Sequence, residues 1–118
     1  MIIAVACDGR NVSEHFGHCQ SFVLCDSMEG KIESTKVLGN PGHKPGFLPK
    51  YLAENGVKVI IAGGMGGAAV DLFNSSDIEV ILGAKGDAIE NVTEYIDGKL
   101  VSTGSICHQH EHADECGE

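Results

Sequence analysis

The sequence predicts a single α/β domain built on a mixed sheet with helices packed against it. Three observations carry that prediction. Ile2–Cys7, Val57–Ala62 and Ile78–Leu82 are continuous apolar runs of strand length, the pattern of strands buried on both faces. Two strand-like segments flank the turn Ser27-Met28-Glu29-Gly30, as in a β-hairpin. From residue 47 onward, helical stripes alternate with apolar runs, and strands joined by helices imply parallel crossovers.

Each element follows in order. Ile2–Cys7 is the first strand, ended by Asp8-Gly9, and a polar loop runs from there to about Gln20. Ser21–Asp26 and Lys31–Leu38 form the hairpin. Gly39-Asn40-Pro41-Gly42-His43-Lys44-Pro45-Gly46 is a loop of structure breakers. Phe47, Leu48, Tyr51 and Leu52 share one helical face, with Pro49 tolerable in the first turn and Asn55-Gly56 as the stop. Val57–Ala62 is the next strand, and Ala69, Leu72 and Phe73 mark a short helix after it. Ile78–Leu82 is followed by a helix opened by Asp87 with Glu90 and striped by Ala88, Ile89, Val92, Tyr95 and Ile96. The order is β-β-β-α-β-α-β-α. Lys99–Thr103 has the composition for a short final strand. The domain is expected to span 1–103, with a polar, mobile Cys/His-rich tail over 104–118.

Composition narrows the function. The net charge is −9, and Arg10 is the only arginine, so no basic stripe exists to neutralise nucleic-acid phosphates. The first residues read as a strand and not as a signal peptide, and no run approaches a membrane span. Five cysteines at irregular spacing fit reduced thiols better than a disulfide framework, which points to the cytoplasm.

Gly63-Gly64-Met65-Gly66-Gly67 joins an apolar strand to a helix, where free amides and the helix dipole favour negative charge. Gly64–Ala69 matches G-x-G-x-x-A. The acid that would hold a ribose is missing from the end of the next strand, where Gly83 stands, and no G-K-[ST] follows. The competing reading is tight helix–strand packing, with Met65 in the core. Earlier in the chain, Ser13-Glu14-His15-Phe16-Gly17-His18-Cys19 places two imidazoles and a thiol within five residues, donors for zinc, copper or iron–sulfur species. Against that, one histidine could cap a turn and Phe16 could anchor the loop. If the first and Val57–Ala62 strands are parallel neighbours, this loop and the glycine turn meet at one sheet edge, where open α/β sheets bind ligands.

Ala4–Gly9, Val12–His18 and Ile60–Gly66, in this order and spacing, resemble the dinitrogenase iron–molybdenum cofactor biosynthesis family, with its NifX-like, NifB C-terminal and orange-protein-like members. The resemblance covers residues 2 to about 97. It implies a ribonuclease H-like three-layer fold, with a five-stranded mixed sheet and helices on both faces. It also implies binding or carriage, without turnover, of an iron- or molybdenum-containing cluster or its precursor, exchanged with a donor or acceptor protein. By this resemblance His15 and His18 are candidate contacts, and Phe16, Gly63, Gly64, Met65, Gly66 and Gly67 line the same site. Cys19 is a candidate by its chemistry and not by the motif.

Beyond the resembling segment, Cys107, His108, His110, His112 and Cys116 can supply a tetrahedral set for zinc, or bind nickel or copper. Two other functions remain in play. One is a zinc or thiol redox sensor using Cys19 and the tail cysteines; the other is a small-anion binding module. A phosphodiester hydrolase would need converging carboxylates to hold two metal ions, and only Asp8 lies at a plausible strand end.

Overall fold

The computed structural model describes residues 1–40, 47–100 and 102. Its elements are β1 (Ile2–Asp8), β2 (Asn11–Val12), β3 (Ser21–Met28), β4 (Lys31–Gly39), α1 (Phe47–Glu54), β5 (Val57–Ile61), α2 (Gly67–Ser75), β6 (Glu79–Ile81) and α3 (Ala88–Ile96). The sheet runs in the order β4-β3-β1-β5-β6. β1 is central, antiparallel to β3 and parallel to β5, and β5 is parallel to β6. The mixed sheet expected from the hairpin and the βα units is therefore present, with three helices packed on it.

Strand alternation explains the layers. Residues Ala4, Ala6, Phe22, Leu24, Ile60 and Ala62 point to one face, where α1 adds Leu48 and Leu52 and α2 adds Val70 and Phe73. Ile3, Val5, Cys7, Cys25, Val59, Ile61 and Ile81 point to the other, where α3 adds Ala88 and Val92. Both faces of β1 are covered, so its sequence is apolar at every position from Ile3 to Cys7, all fully buried. Each large side chain among these contributes about 1.5–3 kcal/mol on burial.

Local chemistry sets the element ends. Glu29 and Gly30 both take positive φ, 54° and 82°, the signature of a two-residue hairpin turn whose twist suits the flanking strands. Gly56 closes α1 at φ 82°, its amide donating to Ala53 O at 3.0 Å. Asp87 caps α3 by accepting from Glu90 N at 3.0 Å.

Several expectations are corrected. The segment between β1 and β3 is not all loop, because Asn11 and Val12 fold back as a short sixth strand on Asp8 and Cys7. Leu72 and Ile89 face outward, 41% and 40% exposed, and Val70 and Asn91 take the inward positions. Asn91 is satisfied there, since Nδ2 donates to Asp87 O at 2.8 Å and to Lys85 O at 3.0 Å. Lys99, Leu100 and Ser102 are not in a strand, and the other residues of the expected Lys99–Thr103 strand lie outside the described residues. Most of the Gly39–Gly46 loop and the entire 104–118 tail, including Cys107, His108, His110, His112 and Cys116, also lie outside them.

Candidate functional site

At the carboxyl ends of β1, β5 and β6 three connections meet: residues 9–20, residues 62–66 and residues 82–87. The first is fixed at both ends. Asp8 Oδ1 accepts from Gln20 N at 2.9 Å, and Gln20 Oε1 accepts in return from Gly9 N at 3.1 Å. Asn40 Nδ2 donates to Cys19 O at 2.8 Å. The carboxylate of Asp8 therefore closes a loop.

Between these ties, Ser13 organises the turn. Its hydroxyl donates to His15 O (3.1 Å) and receives the His15 amide (3.2 Å), the local pinch that short hydroxyl side chains make in turns. A single 3-10 turn follows over Phe16–His18, closed by His18 N donating to His15 O at 3.1 Å. His15 is the extended N-cap of this turn and His18 its last residue. Both side chains are exposed. Phe16 points the other way, 5% exposed, its ring 5.6 Å from Phe22 and 5.3 Å, edge-on, from Phe73. It anchors the turn in the core beneath the two histidines.

The glycine turn is joined to this loop directly. Gly63 N donates to Ser13 O at 2.8 Å, and Phe16 N donates to Gly64 O at 3.1 Å. A Cβ on Gly63 would lie 2.9 Å from both Glu14 Cα and Ser13 O, and one on Gly64 would lie 2.9 Å from Glu14 O. These two glycines are thus explained by the approach of the loop backbone. Met65 is buried with Phe16 and Phe73 in the core. Gly66 is the extended N-cap of α2 and Gly67 its first residue. Intrahelical bonding there begins with Val70 N to Gly66 O at 3.1 Å, so the preceding amides open at this edge. Gly66 and Gly67 are thus placed by the start of α2 and not by the loop of residues 13 and 14. On the far side, Gly83 N donates to Gly63 O at 3.0 Å, which ties the third connection to the second.

Cys19 is not presented alongside the histidines. It is buried in the same core cluster as Phe16, and burial pushes its thiol up to about 11; Cys7 is likewise raised to about 11 by burial. Burial disfavours the thiolate of both side chains in this conformation. Among the described residues no group of three or more His, Cys, Asp or Glu side chains is placed to hold a metal ion. Sequence reasoning missed Ser13 as the joint of the two loops and Asn40 as a brace. The S-x-H spacing that allows a hydroxyl pinch was the available signal for Ser13.

Residues 1–98 match the sequence model of a family described as dinitrogenase iron-molybdenum cofactor. An uncharacterized protein of Methanocaldococcus jannaschii, MJ0580, is 29% identical over 105 residues, spanning 85% of this chain and 89% of its own. Among solved structures, the crystal structure of PH0822 is 30% identical with a TM-score of 0.81, covering 87% of this chain and 95% of that one. The apo form of the orange protein from Desulfovibrio gigas has a TM-score of 0.75 at 23% identity, over 88% of this chain and 93% of its own. That last likeness is one of fold.

Proposed function

This chain belongs to the dinitrogenase iron–molybdenum cofactor family, and from that premise we propose that it binds or carries a metal–sulfur cluster containing iron, molybdenum or both, or a precursor of one. It acts as a non-catalytic accessory protein. His15 and His18 are the protein contacts, and Gly66 and Gly67 at the start of α2 form the opposite wall. The cluster is cargo, received from one protein and passed to another. The order β4-β3-β1-β5-β6, with helices on both faces, supports assigning the fold to the ribonuclease H-like class.

One observation carries the reading. The histidine turn and the glycine turn are a single backbone-bonded unit at one sheet edge, through Gly63 N to Ser13 O and Phe16 N to Gly64 O. Two exposed imidazoles on such a support, beside helix amides that favour an anionic group, are suited to a metal–sulfur cluster. The net charge of −9 disfavours nucleic acid as a partner. Among the described residues no helix is long and apolar enough to cross a membrane, and a cytoplasmic location completes the proposal.

Anaerobic reconstitution of the full chain with iron, sulfide and molybdate, followed by visible absorption and metal analysis, tests it. The wild-type protein is expected to retain cluster through desalting, and a His15→Ala, His18→Ala variant to lose it. Equal retention by the two proteins would overturn the site.

A further inference from the structure

A single hydroxyl restrains the histidine turn. Ser13 Oγ receives the His15 amide at 3.2 Å and donates to His15 O at 3.1 Å, so both main-chain polar groups of His15 are tied to it. His15 O also accepts from His18 N at 3.1 Å, the bond that closes the 3-10 turn. The placing of His18 therefore depends on the same carbonyl that Ser13 holds. His15 lies in extended backbone, φ −131° and ψ 105°, a broad basin that the two bonds narrow. Ser13 in turn is fixed without the help of its side chain. Its amide donates to Ala6 O at 2.7 Å, and its carbonyl accepts from Gly63 N at 2.8 Å.

Those two main-chain bonds do not involve the hydroxyl, so they survive its removal. What goes is the restraint on His15: its amide loses the Ser13 partner, and its carbonyl keeps only His18 N. Ser13 is 2% exposed, too deep to meet a cargo at the surface, whereas His15 and His18 are both exposed. Any effect of the hydroxyl on binding therefore passes through the two histidines. A turn that must be ordered at the moment of binding gives up affinity, and one held beforehand does not. We propose that Ser13 is a positioning residue for the cargo: its hydroxyl sets the His15 main chain, and through His15 O the closure of the turn at His18, before the cluster arrives. This rests on the reading of the turn as the cluster-contacting surface, and deepens it by assigning part of the affinity to a group that never touches the cluster. Hydrogen-bonding partners behind metal-contacting side chains contribute about 10–100-fold in affinity.

The test uses the full chain, reconstituted anaerobically with iron, sulfide and molybdate, in five forms: wild type, Ser13→Ala, Ser13→Thr, His15→Ala with His18→Ala, and Val92→Ala. Val92 is fully buried beneath α3, on the sheet face opposite Phe16, so its truncation lowers stability without touching the turn. The loss of visible cluster absorbance on dilution gives relative affinities. Amide exchange of the metal-free proteins reports the turn itself. Ser13→Ala is expected to lose cluster at least tenfold faster than wild type, with the His15 and His18 amides gaining at least tenfold in exchange over those of β1. Ser13→Thr keeps the hydroxyl and is expected to restore both, and Val92→Ala to hold cluster as wild type does. Retention by Ser13→Ala equal to wild type, or a loss no greater than that of Val92→Ala, would overturn the positioning role. So would a Ser13→Thr protein whose His15 amide is protected again but which sheds cluster as fast as Ser13→Ala. The histidine variant separates the two ideas. If it loses cluster while Ser13→Ala keeps it, the positioning role is refuted and the cluster reading stands. If it keeps cluster as wild type does, the reading of the turn itself fails, and the positioning role with it.

Discussion

Adding one methyl group at Gly63 probes the junction on which the site is built. The new Cβ would lie 2.9 Å from Glu14 Cα and from Ser13 O, and 3.3 Å from Ala84 O. All three are backbone atoms, so no side-chain rotation can relieve the contact. Carbon atoms prefer separations of about 3.5–4.0 Å, so the loop must retreat by roughly half an ångström or more. Overpacking of this kind costs about 1–3 kcal/mol. The retreat also stretches the 2.8 Å bond from Gly63 N to Ser13 O, a further loss of about 1 kcal/mol. A total near 2–4 kcal/mol corresponds to a fall in Tm of about 8 °C or more for a domain of this size. Thermal melts followed by far-UV circular dichroism give the global effect. Amide exchange at Phe16 and Gly63 gives the local one, expected to quicken at least tenfold. Gly39→Ala is the control, since nothing lies within 4 Å of its Cβ position and its φ is not positive. A Gly63→Ala protein melting within about 2 °C of wild type would refute the steric account of this turn.

Two further outcomes follow from the same physics. Phe16→Ala removes a ring packed on Phe22 and Phe73 and should cost about 3–5 kcal/mol in urea unfolding; a loss under about 1 kcal/mol would show that the ring is not the anchor described. Cys7 and Cys19 have thiols raised from 9.0 to about 11, so between those values the folded chain holds protons that the unfolded chain has lost. Their contribution to stability is complete below about pH 9 and is lost as pH rises through about 11. The urea midpoint should fall over that window, and fall less in a Cys7→Ala, Cys19→Ala protein; an equal decline in both would assign it to other groups.

The strands and helices were legible because their causes are local. A continuous apolar run such as Ile2–Cys7 can only be buried on both faces, and Asp87 three residues before Glu90 caps a helix whatever lies around it. The outward turn of Leu72 and Ile89 was not legible, because helical period fixes which residues share a stripe but not how wide a stripe the sheet covers. The burial of Cys19 was not legible for a related reason. Its spacing from His15 and His18 suggested a shared site, whereas the tie from Asn40, distant in sequence, fixes its backbone in the core.

The sequence by itself determined an α/β domain, the hairpin and βα units, and the two segments whose chemistry suggests a metal-bearing ligand. Those follow from hydrophobic period, turn residues and donor type, which act within a few residues. Only the tertiary structure decided what the glycines are for and which donors face outward. Gly63 and Gly64 answer to the backbone of residues 13 and 14, about fifty positions earlier. That close approach exists because β1 and β5 pair in parallel, Val5 beside Ile61, and deliver both turns to the same edge. Steric fit between segments distant in sequence is a property of the packed chain, and no local pattern encodes it.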